Sequence, residues 1–257
     1  MRMLISNDDG INSEGIYALA DSLRALGEVF VVAPDREQSA ASHALSLHNP
    51  LRIEEIDEKI YCVDGTPTDC INLAVNGILK NKKPNLIVSG INKGENLGDD
   101  ITYSGTVSAA MEGTLLGIPS IAVSLASKKN YFFDTASYYA LLIAKYVIKK
   151  SLPEGTLLNI NVPNLPMDEI KGIKVTKQGK RVYGEPIVEK IDPRGRKYYW
   201  IGGDELRFLN IEDSDLVAVS RGYVSVTPIK LDLTDYKSLE SISKDLTKTF
   251  GHAKKTL

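Results

Sequence analysis

The stretch Met3-Leu4-Ile5-Ser6-Asn7-Asp8-Asp9-Gly10 sets both the fold class and the first candidate site. Its apolar start is typical of a buried strand, and its polar end is typical of the loop that follows such a strand. Continuous apolar strands alternate with helical patterns through the first half of the chain, which indicates a parallel sheet covered on both faces. Ligands bind beyond the carboxyl ends of strands in such sheets, which is where Asp8 and Asp9 are expected to lie.

The same alternation of strands and helices continues to about residue 165. Periodicity predicts helices over residues 15–26, 106–116 and 134–149, and short apolar runs predict strands over residues 29–33, 86–88, 120–125 and 157–162. The sequence lacks a Gly-x-Gly-x-x-Gly motif, which argues against a dinucleotide-binding form of this architecture. We therefore expect an α/β fold with a doubly wound, mostly parallel sheet.

A turn signal, Asp192-Pro193-Arg194-Gly195, separates two strand-like runs at residues 186–191 and 197–201. This pattern predicts an extended β-hairpin. The hairpin carries Tyr198, Tyr199 and Trp200, so it is too apolar to stand free in water, and we expect it to pack on another subunit.

The rest of the second half predicts further strands over residues 217–219 and 223–228 and a terminal helix over residues 236–250. We interpret residues 1–165 as the catalytic core. Residues 166–257 are interpreted as an oligomerising part of the same single domain, formed by the hairpin, the strands and the helix.

Composition excludes several classes of protein. The chain has 257 residues and a formal net charge of −2, so we expect no nucleic-acid polymer as a partner. Two cysteines, Cys62 and Cys70, do not make a disulfide scaffold, and we expect core thiols in a reducing compartment. The N-terminus has no signal-peptide pattern, and no apolar run approaches the ~20 residues of a membrane span. We therefore expect a cytoplasmic protein without a membrane partner.

Asp8 and Asp9 are adjacent carboxylates that repel each other, and a hard divalent cation is the simplest group that would stabilise both. Polar loops at residues 35–40 and 89–96 follow two other predicted strands and would add hydroxyl and amide oxygens at the same edge. Oxygen ligands of this kind suit Mg²⁺, Mn²⁺ or Ca²⁺ better than zinc. The alternative for the acidic pair is a turn or a helix N-cap without a metal. His43 is interpreted as a surface or packing residue.

The stretch from Tyr103 to Gly113 predicts a helix whose first turn is suited to an anion. Ser104 is a natural N-cap, and Gly105 lets a ligand approach the backbone. The N–H groups of Gly105 and Thr106, with the hydroxyls of Ser104 and Thr106, would donate to phosphate at the positive end of the helix dipole. Asn96, upstream, would add an amide donor. The alternative is a capped, tightly packed helix without a ligand.

Five motifs together resemble the SurE family of 5'-nucleotidases and acid phosphatases. They occur in the family's order, and they are Ile5-Ser6-Asn7-Asp8-Asp9-Gly10, Ala33-Pro34-Asp35-Arg36-Glu37-Gln38-Ser39, Gly65-Thr66-Pro67-Thr68-Asp69-Cys70, Ser89-Gly90-Ile91-Asn92-Lys93-Gly94-Glu95-Asn96 and Tyr103-Ser104-Gly105-Thr106-Val107-Ser108-Ala109-Ala110-Met111-Glu112-Gly113.

The resemblance implies hydrolysis of nucleoside 5'- and 3'-monophosphates, and of short polyphosphate in some members. It also implies one divalent metal cation per subunit, with ligands at Asp8, Asp9, Ser39 and Asn92. The family's phosphate contacts fall on Asn96, Ser104, Gly105 and Thr106. The fold implied is a Rossmann-like core with a C-terminal part exchanged between subunits of a homodimer or homotetramer.

Two other functions remain open at this point. A response-regulator receiver also carries an acidic pair after its first strand and binds Mg²⁺, and Asp64 would then be its phosphoacceptor. A receiver needs only about half of this chain, and the hydroxyl and amide groups described above would have no role in it. The other alternative is a protein that binds nucleotides without hydrolysing them.

Overall fold

The structure is a computed structural model that describes residues 1–127, 129–182, 184, 187–201 and 207–251. Its strands, in chain order, are β1 (Arg2–Ser6), β2 (Glu28–Pro34), β3 (Ile53–Asp57), β4 (Ile60–Val63), β5 (Leu86–Lys93), β6 (Ser120–Ala126), β7 (Thr156–Pro163), β8 (Ile173–Val175), β9 (Arg181–Val182), β10 (Ile187–Ile191), β11 (Lys197–Ile201), β12 (Arg207–Phe208) and β13 (Val224–Lys230). Its α-helices are α1 (Glu14–Leu23), α2 (Pro67–Leu73), α3 (Gly105–Leu115), α4 (Phe133–Lys150), α5 (Asp215–Ser220) and α6 (Tyr236–Phe250).

Nine strands form one sheet in the order β3-β4-β2-β1-β5-β6-β7-β13-β8. Within this order, six neighbouring strands all pair in parallel: β4, β2, β1, β5, β6 and β7. The outer strands β3 and β13 pair antiparallel with β4 and β7. Strand order reverses between β1 and β5, which makes the carboxyl end of β1 the topological switch point. The predicted α/β class and the doubly wound, mostly parallel sheet are confirmed.

Strand β1 shows how both faces of the sheet are covered. Met3 and Ile5 belong to an apolar cluster with side chains of α1 and α4, whereas Leu4 belongs to a second cluster with side chains of α2 and α3. Alternate residues of a strand point to opposite faces, so this division follows from the period of two. Each fully buried side chain of this size contributes about 1.5–3 kcal/mol. Because β1 is buried on both faces, its position in the sheet is fixed. The position of Asp8, which follows β1, is fixed with it.

Two of the elements that were not predicted from the sequence are β3 and α2. Residues 53–57 form β3, an exposed strand without a hydrophobic pattern. Residues 67–73 form α2, which Thr66 caps by accepting from the backbone N–H of Asp69 while the Asp69 carboxylate accepts from the N–H of Thr66. That capping box, with Pro67 at the first helical position, is a sequence signal that indicates the helix.

The prediction of a strand over residues 217–219 was wrong, because these residues lie in α5. The β-branched Val217 and Val219 favoured a strand in the local pattern. The hydroxyl of Ser214 accepts from the N–H of Val217 and caps a helix instead. Leu216 and Val217 are buried in that helix, so tertiary packing outweighs the local propensity.

The predicted hairpin is present as β10 and β11, which pair antiparallel from Ile187 to Ile201. Pro186, the predicted first residue, lies outside the described residues. Gly195 takes the positive φ of 80° that the turn requires. Tyr199 and Trp200 are exposed in the single chain. The terminal helix α6 begins and ends as predicted, and Leu239, Ile242, Leu246 and Phe250 on it are exposed as well.

The helices that the structure describes are all too short or too polar to cross a membrane.

Candidate active site

The site begins at Asp8, which follows β1 and is only 5% exposed. Its Oδ1 accepts a hydrogen bond from the Thr106 hydroxyl, which lies in the first turn of α3. Thr106 itself is fully buried. The acidic pair and the anion-binding turn were predicted from separate motifs, and this contact brings them together.

Gly105 makes the close approach of α3 and Asp8 possible. A Cβ at position 105 would lie 2.7 Å from the Asp8 Cβ and 2.9 Å from its Oδ2. Real Cβ atoms essentially never come this close to another atom, so a side chain here would push the helix away from the carboxylate. Glycine is therefore required for a steric reason, beyond the access to the backbone that the sequence suggested.

Asp9 contacts the other predicted metal loop. Its Oδ2 accepts from the backbone N–H of Lys93 at 3.1 Å, which places Asn92 beside the acidic pair. The amide nitrogen of Asn92 donates to the Gly94 carbonyl at 2.9 Å, so Oδ1 is the part of that side chain left to act as a ligand. The ammonium group of Lys93 lies 5.4 Å from the centre of the Tyr131 ring.

Burial disfavours the charged forms of Asp8 and Asp9 when no cation is bound beside them. Burial raises the pKa of Asp8 from 3.8 to about 6, with a further increase from the charge of Asp9 and an opposing effect of the Thr106 hydrogen bond. Burial also raises the pKa of Asp9, against the opposing effect of Lys93. Oδ1 of Asn7, directly before the pair, is buried without a hydrogen-bond partner among the described residues.

These observations fit a hard cation. Mg²⁺ is typically bound by one or two carboxylates, with water and substrate phosphate completing its shell. In the part of the chain that the structure describes, no three His, Cys, Asp or Glu side chains form a metal cluster. A site here would therefore combine the two carboxylates with neutral oxygen donors.

Ser39 lies in the loop of residues 35–52, which joins β2 to β3. The backbone N–H of Gln38, its neighbour, donates to the Asp8 carbonyl at 2.8 Å, so this loop crosses directly beside the acidic pair. The Ser39 hydroxyl donates to Glu37 Oε1 at 2.6 Å. Its role as a metal ligand stays a prediction.

The anion-binding turn has the predicted capping geometry. Ser104 precedes α3, and its hydroxyl oxygen accepts from the backbone N–H of Val107 at 3.1 Å. The N–H groups of the first helical turn have no acceptor within the helix itself, so those of Gly105 and Thr106 are suited to a ligand. The Thr106 hydroxyl differs from the expectation, because it donates to Asp8.

Asn96 is held in place by a buried polar network. Its backbone N–H donates to Asn161 Oδ1 at 2.8 Å, and its carbonyl accepts from Asn159 Nδ2 at 2.8 Å. Its side-chain amide donates to the Ser124 hydroxyl at 2.8 Å. The predicted phosphate contact therefore has one of its donors already paired, and its second amide hydrogen is the one left for a ligand.

Sequence reasoning missed the residues that fasten loop 35–52. His43 Nε2 lies 2.9 Å from Glu112 Oε2, and the Asn72 amide donates to Glu112 Oε1 at 2.8 Å. The backbone N–H of Ser46 donates to Asp69 Oδ1 at 2.9 Å. Glu112 and Asp69 belong to motifs quoted above but had no role assigned to them, and both bind the loop that bears Ser39. The interpretation of His43 as a surface or packing residue stays a prediction.

Asp64 does not fit the phosphoacceptor role of a receiver. It follows β4, which is separated from β1 by β2, so it is not beside Asp8 at the switch point. Its carboxylate accepts from the backbone N–H of Arg52 at 2.6 Å and pairs with the Arg52 side chain. Together, Asp64 and Arg52 join the ends of β3 and β4 that lie opposite the turn between these strands.

Comparisons with known proteins show the family of this chain. The profile of the family described as "Survival protein SurE" matches residues 3–185. A protein named 5'-nucleotidase SurE from Geotalea daltonii is 56% identical over 245 residues, which cover 95% of this chain and 98% of the relative. Another of the same name, from Geobacter metallireducens, is 53% identical over the full length of both chains.

A solved structure has the same fold. A crystal structure of the SurE protein from Aquifex aeolicus, 50% identical, covers 95% of this chain and 99% of its own with a TM-score of 0.86. The family profile spans the switch point, the loop after β2 and the first turn of α3. With a family profile and near-complete relatives in agreement, this chain belongs to the SurE family.

Proposed function

We propose that the chain is a metal-dependent phosphatase that hydrolyses nucleoside 5'- and 3'-monophosphates to nucleoside and phosphate, with short polyphosphate as a further substrate. One observation carries the proposal: the buried carboxylate of Asp8 accepts a hydrogen bond from Thr106 in the first turn of α3. An acidic pair suited to a cation and a helix N-terminus suited to phosphate thus meet at one point. Relatives over 50% identical are named 5'-nucleotidase SurE, which supports the same activity.

The cofactor proposed is one divalent cation per subunit, Mg²⁺ or Mn²⁺, held by Asp8, Asp9, Ser39 and Asn92. When bound, such a cation supplies Lewis-acid stabilisation to a phosphoryl oxygen. The donor set is all oxygen, in accord with the preference of these ions.

The chain's own groups bind and orient the phosphate. The N–H groups of Gly105 and Thr106 donate to its oxygens at the positive end of α3, and the hydroxyl hydrogen of Ser104 and the free amide hydrogen of Asn96 add two donors. These fixed donors stabilise the charge that develops on the oxygens in the transition state. In this scheme Asp8 accepts the proton of the attacking water as the new P–O bond forms and the ester P–O bond breaks, and that proton passes on to the leaving oxygen of the nucleoside.

Direct attack by Asp8 on phosphorus is the alternative step, and it would give an aspartyl-phosphate. A single-turnover search for a phosphoenzyme separates the two, because solvent oxygen enters the phosphate by either route. With a water nucleophile no phosphoenzyme can be trapped. A trapped acyl-phosphate on Asp8 would replace the water step by the covalent one.

The activity is tested by phosphate release from AMP, 3'-AMP and short polyphosphate with Mg²⁺ or Mn²⁺. Release is expected with metal and not in excess EDTA. Asp8→Asn is expected to lower kcat by orders of magnitude with an unchanged unfolding transition, whereas Asp134→Asn, a surface change at the start of α4, serves as the matched control. Full activity of Asp8→Asn, or of the wild type in EDTA, would contradict the proposal. Tight AMP binding without release would indicate a nucleotide-binding protein.

The proposed assembly is a homodimer or homotetramer in which the hairpin of β10 and β11 and the helix α6 pack on another subunit. The exposed apolar side chains of both elements support it, because patches of this kind mark interfaces. Light scattering coupled to size exclusion tests it: Trp200→Ser with Ile242→Ser is expected to shift the mass towards the monomer. A monomeric wild type at micromolar concentration would contradict the assembly.

A further inference from the structure

A cavity of about 440 Å³ opens at the same edge of the sheet as Asp8. Ala126 and Pro163, the last residues of β6 and β7, lie in its wall. Strands β1, β5, β6 and β7 are consecutive neighbours, and neighbouring strands lie ~4.8 Å apart. Across the sheet, β1 and β6 are two strand spacings, or roughly 10 Å, apart. Ala126 also lies four residues beyond Ala122, the residue of β6 level with Ser6, so the cavity begins at more than this distance from the acidic pair.

The cavity shares a wall with the loop that carries the phosphate contact Asn96. Glu95 and Leu97, on either side of Asn96, both line it. The loop is fixed from behind by Asn159 and Asn161, which bind the backbone of Asn96. A molecule whose phosphate reaches Asn96 would therefore have the rest of its body next to this space.

The walls of the cavity are suited to a ring with polar edges. Phe208, 38% exposed, is the aromatic side chain among its described wall residues, and Leu165, Leu216 and Val219 supply aliphatic surface. Arg181 and Glu95 are charged groups at its margin. A cleft of this size with mostly apolar walls and a few placed polar groups is typical of a small-molecule site.

An ion-pair network fixes the position of Phe208. Phe208 pairs with Arg181 across the ladder of β9 and β12. The Arg181 side chain is 5% exposed, with Nη2 3.0 Å from Glu95 Oε1 and Nε 2.8 Å from Asp100 Oδ2. The strand that carries Phe208 is thus connected to the loop of Asn96 through the ion pairs of the buried Arg181 with the half-buried Glu95 and Asp100.

A second cavity, of about 470 Å³, lies on the other side of Asp8 near loop 35–52. Arg36, Arg52 and Asp64 are in its walls, and its described wall residues include no aromatic ring. It offers charge without a stacking face, so it is the weaker match to a heterocycle.

We propose that the first cavity receives the nucleoside part of the substrate, with Phe208 stacking on the base and Glu95 accepting from a sugar hydroxyl. This inference rests on the proposed phosphatase activity. Glu95 has acceptor capacity beyond its pair with Arg181, because a carboxylate offers about four lone-pair positions.

The test compares AMP with ribose 5-phosphate, which has the sugar and the phosphate but no base. Phe208→Ala is expected to lower kcat/KM for AMP by roughly 5-fold to 150-fold, the range that loss of one base–aromatic stack produces. The value for ribose 5-phosphate and the inhibition constant of inorganic phosphate are expected to change less than about twofold. Phe208→Trp is expected to restore activity on AMP, and Tyr146→Ala, an exposed aromatic of α4, is the control.

An equal fall in kcat/KM for AMP and for ribose 5-phosphate, or no fall for either, would overturn the proposed subsite. Should Phe208→Ala fail to fold, hydrogen exchange of the wild type with and without adenosine decides, because protection is expected in residues 95–97 and 207–209. Absence of that protection overturns the proposal. Failure of the phosphatase activity gives a different result, since the wild type would then release phosphate from neither AMP nor ribose 5-phosphate.

Discussion

Replacement of Glu112 tests whether a buried carboxylate far from the reacting atoms holds the loop that carries Ser39. Glu112 is 6% exposed and accepts from Asn72 at 2.8 Å, with His43 Nε2 at 2.9 Å. Hydrogen bonds to charged groups contribute about 1.5–3 kcal/mol each, so Glu112→Leu removes about 3–6 kcal/mol of interaction. Removal of a buried charge offsets part of this loss, and we expect a net destabilisation of about 2–4 kcal/mol.

Glu112→Gln is the matched variant. It keeps the shape of the side chain and both possible contacts but loses the charge. We therefore expect a net destabilisation of about 1–2 kcal/mol. Urea unfolding gives the stability of each protein. Hydrogen exchange of residues 37–46 in metal-free protein gives the order of the loop, and Mn²⁺ titration gives the affinity of the proposed site. Both variants are expected to speed exchange in the loop and to weaken Mn²⁺ binding, with the larger effect for Leu.

The pH dependence gives an independent check. The hydrogen bond from His43 lowers the pKa of Glu112 below 4.5, against the opposing effect of burial and of the charge on Asp69. A lowered folded-state pKa stabilises the protein above the unfolded value, and this contribution is lost as the pH falls through the folded value. We therefore expect the wild type to be more stable than Glu112→Gln at pH 7, and we expect this difference in the free energy of unfolding to shrink below pH 4.5. A loss of stability without faster exchange in residues 37–46 would refute the reasoning about the loop.

Three further substitutions test other contacts, each by urea unfolding and AMP turnover. Gly105→Ala places a Cβ 2.7 Å from the Asp8 Cβ, so we expect about 1–3 kcal/mol of overpacking and a large loss of kcat, and wild-type values would show that the helix can shift freely. Thr106→Val removes the donor to Asp8 and keeps the backbone N–H groups of the turn, so we expect a lower kcat for AMP with little change in inhibition by phosphate, and an unchanged kcat would count against a role for this contact. Asp215→Ala leaves the N–H groups of Gly98, Gly179 and Leu216 without their acceptor, and we expect a loss of about 3 kcal/mol or more, whereas a loss below about 1 kcal/mol would indicate that water replaces the carboxylate.

The sequence predicted the elements whose pattern is local. The run before Asp8 became β1, and residues 236–250 became α6 with the predicted bounds. Helix α3 was correct within one residue, because Ser104 and Gly117 mark its ends in the sequence. Residues 217–219 show the limit, since a β-branched run lies in a helix once Ser214 caps it.

Long-range partners could not be predicted in the same way. The contact of Thr106 with Asp8 joins residues 98 positions apart, and that of Glu112 with His43 joins residues 69 positions apart. Periodicity describes only which face a side chain takes, and it carries no information on the partner across the fold. Phe208 was missed for this reason as well: its role depends on its pairing with Arg181, and the two-residue strands that bring them together are too short to give a pattern.

The division of β1 between two apolar clusters has a consequence for how related sequences diverge. A change of volume at Leu4 can be compensated from α2, α3 and the strand side chains of the second cluster, whereas a change at Met3 can be compensated from α1, α4 and the strand side chains of the first cluster. Covariation among homologues should therefore fall into two sets that drift separately. Both sets of residues pack against β1. Accumulated substitutions on either face of this strand would therefore displace Asp8.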